Sequence, residues 1–229
     1  MAAVLAIGCS RSTPRVVTTI DGDVLALAAD ATSIYAAVMQ RENASIVRIP
    51  KSSGPNVTVV AHTGVARGIA IADGTLYWCE LDAARVGHVK SARASDGGAP
   101  TELAQLDTTP VGIAADDRDL YVLSVGTWSS AGTLDTTRGS LVVVPRSGGT
   151  PHVLADHLVR PSALELDVAS VTWSAEGVRW NLLKTGGTPT QTRLAPLSEG
   201  PSVVVLRDHD AIYRATSTDT DSTLTVVSH

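Results

Sequence analysis

Gly68-Ile-Ala-Ile-Ala-Asp73, followed after one residue by Thr75-Leu-Tyr-Trp78, is the stretch from which the fold can be read. A short apolar run ends on an aspartate, a tight turn follows, and a second apolar run carries an aromatic pair. The same order recurs on both sides of it. Upstream, Val24-Leu-Ala-Leu-Ala-Ala-Asp30 leads to Ser33-Ile-Tyr35. Downstream, Val111-Gly-Ile-Ala-Ala-Asp116 leads to Asp119-Leu-Tyr-Val122, Ala163-Leu-Glu-Leu-Asp167 to Ser170-Val-Thr-Trp173, and Val203-Val-Val-Leu-Arg-Asp208 to Ala211-Ile-Tyr213. Tyr35, Tyr77, Tyr121, Thr172 and Tyr213 mark one shared position at intervals of 42, 44, 51 and 41 residues. Self-similarity at a near-constant period marks a chain built from stacked supersecondary units.

Each copy continues alike. A third run follows a variable loop: Ser45–Ile49, Val86–Lys90, Ser140–Val144, Val178–Trp180 and Thr223–Val227. A glycine-proline turn comes next, at Ser53-Gly-Pro55, Gly97-Gly-Ala-Pro100, Gly148-Gly-Thr-Pro151 and Gly186-Gly-Thr-Pro189. Glycine supplies positive φ and proline blocks ladder pairing, so these segments reverse the chain. A fourth run then begins at Val57, Thr101, His152 or Thr190. Four short antiparallel strands per unit of about 40 to 45 residues is the signature of a β-propeller blade. The fifth copy reaches only its third strand, at Val227, and Ser12-Thr-Pro14 with Arg15–Ile20 supplies the missing turn and fourth strand. The expected fold is therefore an all-β, five-bladed β-propeller, with strand 13–20 closing the ring on the C-terminal blade, three strands plus one. The blades fall at about 24–62, 66–105, 110–156, 161–196 and 201–229 plus 13–20, in a single domain over 10–229.

The unit, apolar-Ala-x-Asp-x-x-x-apolar-Tyr-Trp, resembles the YWTD and NHL class of propellers, bacterial extracytoplasmic repeat proteins above all. Tyr77-Trp78 keeps the full aromatic pair. The resemblance runs from Thr13 onward and implies a fold, since propellers host many unrelated activities.

Composition narrows the function classes. A net charge of -5 over 229 residues offers no basic field for nucleic acid. Two cysteines make neither a disulfide framework nor a cysteine-rich zinc site. No apolar run approaches the roughly 18 residues of a membrane span. Phenylalanine is absent, so Val, Ala, Leu and Thr do most of the packing. Residues 1–9 read as a shortened signal segment. Ala6-Ile-Gly-Cys9 resembles a bacterial lipobox, although Ala6 stands where Leu is usual and no Lys or Arg precedes the apolar stretch. On that reading Cys9 carries a lipid anchor, the chain's sole tie to a membrane, and the protein works in the periplasm or on the outer surface. The alternative is an N-terminal tail with a chance cysteine.

The recurring Asp30, Asp73, Asp116, Asp167 and Asp208 read as turn formers that accept backbone N–H bonds, one per blade and too far apart to share an ion. Ligand candidates lie instead on the face that carries the blade-to-blade loops: Asp21, Asp23, His62, Arg67, Asp107, His157, Arg160 and Glu199. Loops between second and third strands add Arg41, Glu42, Glu80, Asp82, Arg85, Asp135, Arg138, Glu176, Asp219 and Asp221 to that face. The longest such loop, Val125 to Arg138, carries Trp128, either as a ligand anchor or packed within a longer hairpin.

No nucleophile elbow, zincin helix, P-loop or dinucleotide fingerprint occurs, and no catalytic residue is assigned. The six histidines are scattered. Asp219-Thr-Asp221 is an acidic pair suited to calcium but short of the roughly six to eight oxygens it takes, so no cofactor is expected and calcium alone stays open. Three functions compete: a non-catalytic, monomeric module that binds a protein or glycan, a metal-dependent lactonase or lyase with its site at the channel mouth, and a structural spacer.

Overall fold

The computed structural model describes residues 14–41, 43–193, 203–208, 211–217 and 221–228. Every regular element among them is a strand. β1 (Arg15–Asp21) comes first. The first repeat forms β2 (Asp23–Ala29), β3 (Ser33–Gln40), β4 (Asn43–Pro50) and β5 (Val57–Thr63). The second forms β6 (Val65–Ala72), β7 (Thr75–Leu81), β8 (Gly87–Arg93) and β9 (Gly97–Leu106). The third forms β10 (Pro110–Ala115), β11 (Asp119–Ser124), the short β12 (Thr127–Trp128) and β13 (Leu134–Asp135), then β14 (Gly139–Pro145) and β15 (His152–Leu158). The fourth forms β16 (Ser162–Leu166), β17 (Ser170–Ala175), β18 (Val178–Leu183) and β19 (Thr190–Arg193). The fifth forms β20 (Val203–Asp208), β21 (Ala211–Ser217) and β22 (Asp221–Ser228).

Each repeat folds into its own four-stranded antiparallel sheet in sequence order, and β1 occupies the outer place of the fifth sheet, in the order β1-β22-β21-β20. Its register sets Ile20 opposite Ser222 and Asp21 opposite Asp221. The apolar runs of the sequence thus map onto strands, but the strands extend beyond those runs: β9 begins at Gly97 and β18 continues to Leu183.

Alternation of side chains along each strand gives every sheet two faces, and the faces pack on neighbouring sheets. Tyr77 and Trp78 are successive and point opposite ways. Trp78 packs with Tyr35, Ile46 and Ile69 between the first and second sheets. Tyr77 and Cys79 pack with Leu120, Val122 and Val142 between the second and third. Tyr121 and Leu123 meet Val171, Trp173 and Leu182 between the third and fourth. Ile34 and Ile49 meet Tyr213 and Leu224 between the first and fifth. These clusters link the sheets in the order fifth, first, second, third, fourth. Among the described residues no apolar cluster joins the fourth to the fifth.

Close packing of inner strands explains a glycine pair. A Cβ on Gly68 of β6 would lie 2.8 Å from Gly112 Cα of β10. Any side chain at this crossing would force the second and third sheets apart.

Two of the repeated aspartates, Asp30 and Asp116, cap the turns after their first strands. Asp30 Oδ1 accepts from the backbone N–H groups of Thr32 and Ser33 at 2.7 and 2.8 Å, and Tyr35 donates its hydroxyl to Asp30 Oδ2. Asp116 is held in the same way by Arg118, Asp119 and Tyr121. Burial, reinforced by the Asp30 carboxylate, pushes the Tyr35 hydroxyl up to about 12. Asp73 differs: it has φ 48 and a largely exposed carboxylate, paired with Arg146 of the third sheet.

A cation just past the third strand fastens each of several sheets to its neighbour. Arg146 donates Nε–H to Tyr77 Oη at 2.9 Å, and its Nη1 reaches Asp73 and the carbonyls of Asp116 and Asp117. Lys184 Nζ donates to Asp116 Oδ2 at 2.8 Å and sits over the Tyr121 ring. Lys51 sits over the Tyr213 ring. In the second sheet the matching position is Ala94, whose N–H bonds the Gly74 carbonyl as Lys51, Arg146 and Lys184 bond theirs.

Candidate functional site

The turn Asp21-Gly22-Asp23 joins β1 to β2, and it is built from two distant parts of the chain. Ser222, fully buried in β22, donates to Gly22 O at 2.8 Å and accepts from Val24 N–H at 3.0 Å. Gly22 has φ +102, and a Cβ there would lie 2.5 Å from Met39 O. The pinned turn and the adjacent β3–β4 hairpin enclose a polar cavity of about 440 Å³ lined by Asp21, Asp23, Met39, Gln40, Arg41 and Asn43. Gln40 Nε2 donates to Asp21 Oδ2. Both aspartates are exposed. The cavity offers carboxylate acceptors, amide groups and one guanidinium on a fixed backbone, a set suited to hydrogen-bonding ligands.

The sequence-derived candidates do not converge on one point. Asp21 and Asp23 lie at strand ends rather than in a free loop. His62 belongs to β5, and only its backbone is described. Arg67 is a residue of β6, not of a blade-to-blade loop: it occupies the register shift between Ala66 and Gly68, where a bulge leaves one residue unpaired. His157 belongs to β15, has φ 54, and stands 3.8 Å from Asp156. Arg160, with φ 46, lies between β15 and β16, where its N–H bonds Thr136 O. Asp107 lies exposed between β9 and β10. Glu199 and Cys9, like Glu42 and Asp219, lie outside the described residues.

The long loop takes the hairpin alternative. Thr127 pairs with Asp135 and Trp128 with Leu134. Trp128 is half-buried, with the Arg85 guanidinium 4.2 Å above its ring. Its Nε1 is buried and has no hydrogen-bond partner among the described residues. Glu80 is not a loop residue: it lies within β7, is 2% exposed, and accepts from Trp78 Nε1 and Lys90 Nζ, each at 2.6 Å. It is a core ion pair rather than a loop ligand. Asp82 accepts from Val86 N–H and lies 3.2 Å from His88 Nε2, while Glu102 lies 2.8 Å from Nδ1 of the same ring. The Val86 N–H bond leads in holding the Asp82 carboxyl below its ordinary value. These two carboxylates flank opposite sides of the imidazole. Among the described residues no group of three or more His, Cys, Asp or Glu is placed to hold a metal.

Sequence reasoning missed Ser222 and Gln40, the residues that fix Asp21 and its turn. The signal for Ser222 is its place opposite Ile20, visible once the N-terminal strand is aligned against the last one.

No family model matches this chain, and no curated protein does. Solved structures are similar in fold. A chain of a nidogen/laminin complex aligns with TM-score 0.63 and 18% identity over 84% of this chain and 72% of that one. TolB from Acinetobacter baumannii aligns with TM-score 0.58 and 12% identity, over 91% of this chain and 55% of TolB. The WD40 β-propeller domain of Doa1 aligns with TM-score 0.53 and 10% identity over 95% and 97%. The chain therefore has an all-β, antiparallel fold of the propeller type.

Proposed function

We propose that this chain is a non-catalytic β-propeller that binds a protein or glycan partner through its loop-bearing face. The five four-stranded sheets serve as five blades, and β1 on β22 joins the two ends of the ring. A lipid on Cys9 holds the monomer outside the cytoplasm. The observation that carries the reading is the Asp21-Gly22-Asp23 turn, whose exposed carboxylates are presented by a backbone pinned through buried Ser222. A preorganised polar surface on a rigid scaffold loses little freedom on binding, which favours recognition.

The test is a pair of arrays, one of glycans and one of extracellular protein domains. Each is probed with the labelled chain and with the double variant Asp21→Asn, Asp23→Asn. The expected result is a ligand whose signal falls at least tenfold in the variant and holds in Asp96→Asn, a change at the turn before β9. A signal untouched by the double variant would remove this face from the reading. A thermal melt in EDTA and in millimolar calcium addresses the lactonase or lyase alternative. Specific binding to the native state must raise the midpoint, and a rise with calcium would favour that alternative.

A further inference from the structure

Ser140 is 7% exposed, and its Oγ has no hydrogen-bond partner among the described residues. Thr108 Oγ1, in the link from β9 to β10, is likewise buried and unpartnered. Both residues line a cleft of about 490 Å³ between the outer strand of the second sheet and the third sheet. Buried hydroxyls are almost always paired, so two unpaired ones in a single cleft mark a place where a partner is to be supplied.

The rest of the lining says which partner. Asp107 and Asp156 bring two carboxylates, and Gln105 brings an amide. Leu106, Val142 and Val153 form apolar wall. Among the described residues no Lys or Arg lines the cleft. Asp107 has no ion-pair partner among the described residues, and Asp156 has the His157 ring nearby, with Nε2 at 3.8 Å. Two exposed carboxylates beside a partly apolar lining draw a cation. A lysine ammonium has three N–H donors on an aliphatic stem, which matches carboxylate and hydroxyl acceptors beside apolar wall.

We infer that this cleft is a binding site for a lysine side chain presented by a partner protein: the ammonium bonds Asp107, Asp156 and the hydroxyls of Thr108 and Ser140, and the stem lies along Leu106, Val142 and Val153. The inference rests on the binding-module reading only in having a partner carry the lysine. The cleft's lining shares no residue with the cavity at the Asp21–Asp23 turn.

The experiment is an NMR titration of the full chain with Nα-acetyl-lysine methylamide, Nα-acetyl-norleucine methylamide and N-acetylglucosamine. The lysine probe should shift the amides of 105–108, 140–142 and 153–156, and the other two should not. Asp107→Asn should weaken the lysine probe at least tenfold. Ser140→Ala should weaken it several-fold while leaving the melting midpoint unchanged or higher, because the hydroxyl has no hydrogen-bond partner among the described residues to lose. Equal shifts with norleucine would reduce the site to an apolar crevice and overturn the inference. Shifts with the sugar alone would overturn it in favour of an uncharged polyol, and no shifts at all would end it. Array binding that is lost in the Asp21, Asp23 variant but intact in Asp107→Asn, without lysine-probe shifts, would keep the binding-module reading and discard the cleft.

Discussion

Arg146 illustrates how single residues hold this molecule together. Its guanidinium joins a tyrosine, a carboxylate and three carbonyls across the boundary between the second and third sheets. Hydrogen bonds from a charged donor are worth about 1.5–3 kcal/mol where water is excluded, and the rigid fork is what lets one side chain make several. Arg146→Ala should lower unfolding free energy by about 2–3 kcal/mol, and Arg146→Lys should recover less than half of that. Asp73→Asn should cost less than about 1 kcal/mol, because its carboxylate is mostly solvated and the exposed pair is screened. Urea titrations of the three variants check the order; equal losses would mean that the ion pair, not the fork, matters. None of this was legible in the sequence, since Arg146 stands beside a turn and its tyrosine lies 69 residues away. Cys79 was legible as a small buried hydrophobe. Burial pushes its thiol up to about 12, so in a Cys9→Ser background it should stay unreactive to a disulfide reagent at pH 8 until urea unfolds the chain. Rapid native labelling would contradict that burial.

At the scale of the element, the turn after β10 couples stability to pH. Burial works against ionising Asp116, but the Lys184 ammonium and the backbone N–H groups of Arg118 and Asp119 outweigh it and hold the carboxyl at about 2. A carboxyl whose folded value lies below its unfolded value stabilises the fold above the unfolded value, and that contribution disappears as pH falls through the folded one. The window therefore runs from about pH 4 down to about 2, and at most about 2 kcal/mol is at stake given the partial exposure of the side chain. Asp116→Asn should be less stable than the parent at pH 6, with the gap closing by pH 2; a constant gap would show that the charge is not what matters. The turn itself could be read from the recurrent Asp, because an aspartate capping two following N–H groups is a local event. Lys184 could not, since it arrives from the next sheet. Strand ends escaped for a related reason: bulges at Val24/Ala26, Ala66/Gly68 and Pro110/Gly112 let pairing continue past the apolar alternation, so Arg67 fell inside a strand.

Over the whole molecule, the repeat made the order of the four-stranded sheets legible, because each unit carries its own alternation and turn chemistry; the inserted hairpin β12–β13 lies outside that repeat. Unequal coupling between units was less visible, although one sign was present: Thr172 stands where the other four copies have Tyr. That face of the fourth sheet is polar. Arg179 donates to Thr172 Oγ1 at 3.2 Å and pairs with Glu165, and Asn181 donates to Ser170 Oγ at 3.0 Å. The inner strand β16 is correspondingly open, with Ser162, Ala163 and Glu165 exposed, whereas alternate residues of β2 are buried. In the proposed ring, the fourth and fifth blades meet across this face, and among the described residues no tyrosine and no apolar cluster joins them there. Local opening follows the regions with fewest buried apolar contacts. Native-state hydrogen exchange should therefore show the amides of β16–β19 exchanging as a group ahead of those of β3, β7 and β11, by a margin that grows in dilute urea. Thr172→Ala should leave that margin unchanged, since no apolar contact is lost, while Trp173→Ala should cost about 3–5 kcal/mol by emptying the packed face toward the third sheet. Protection of β16–β19 equal to that of β7 would mean that the polar face is as firmly held as the apolar ones, and the proposed ring would then have no preferred point of opening.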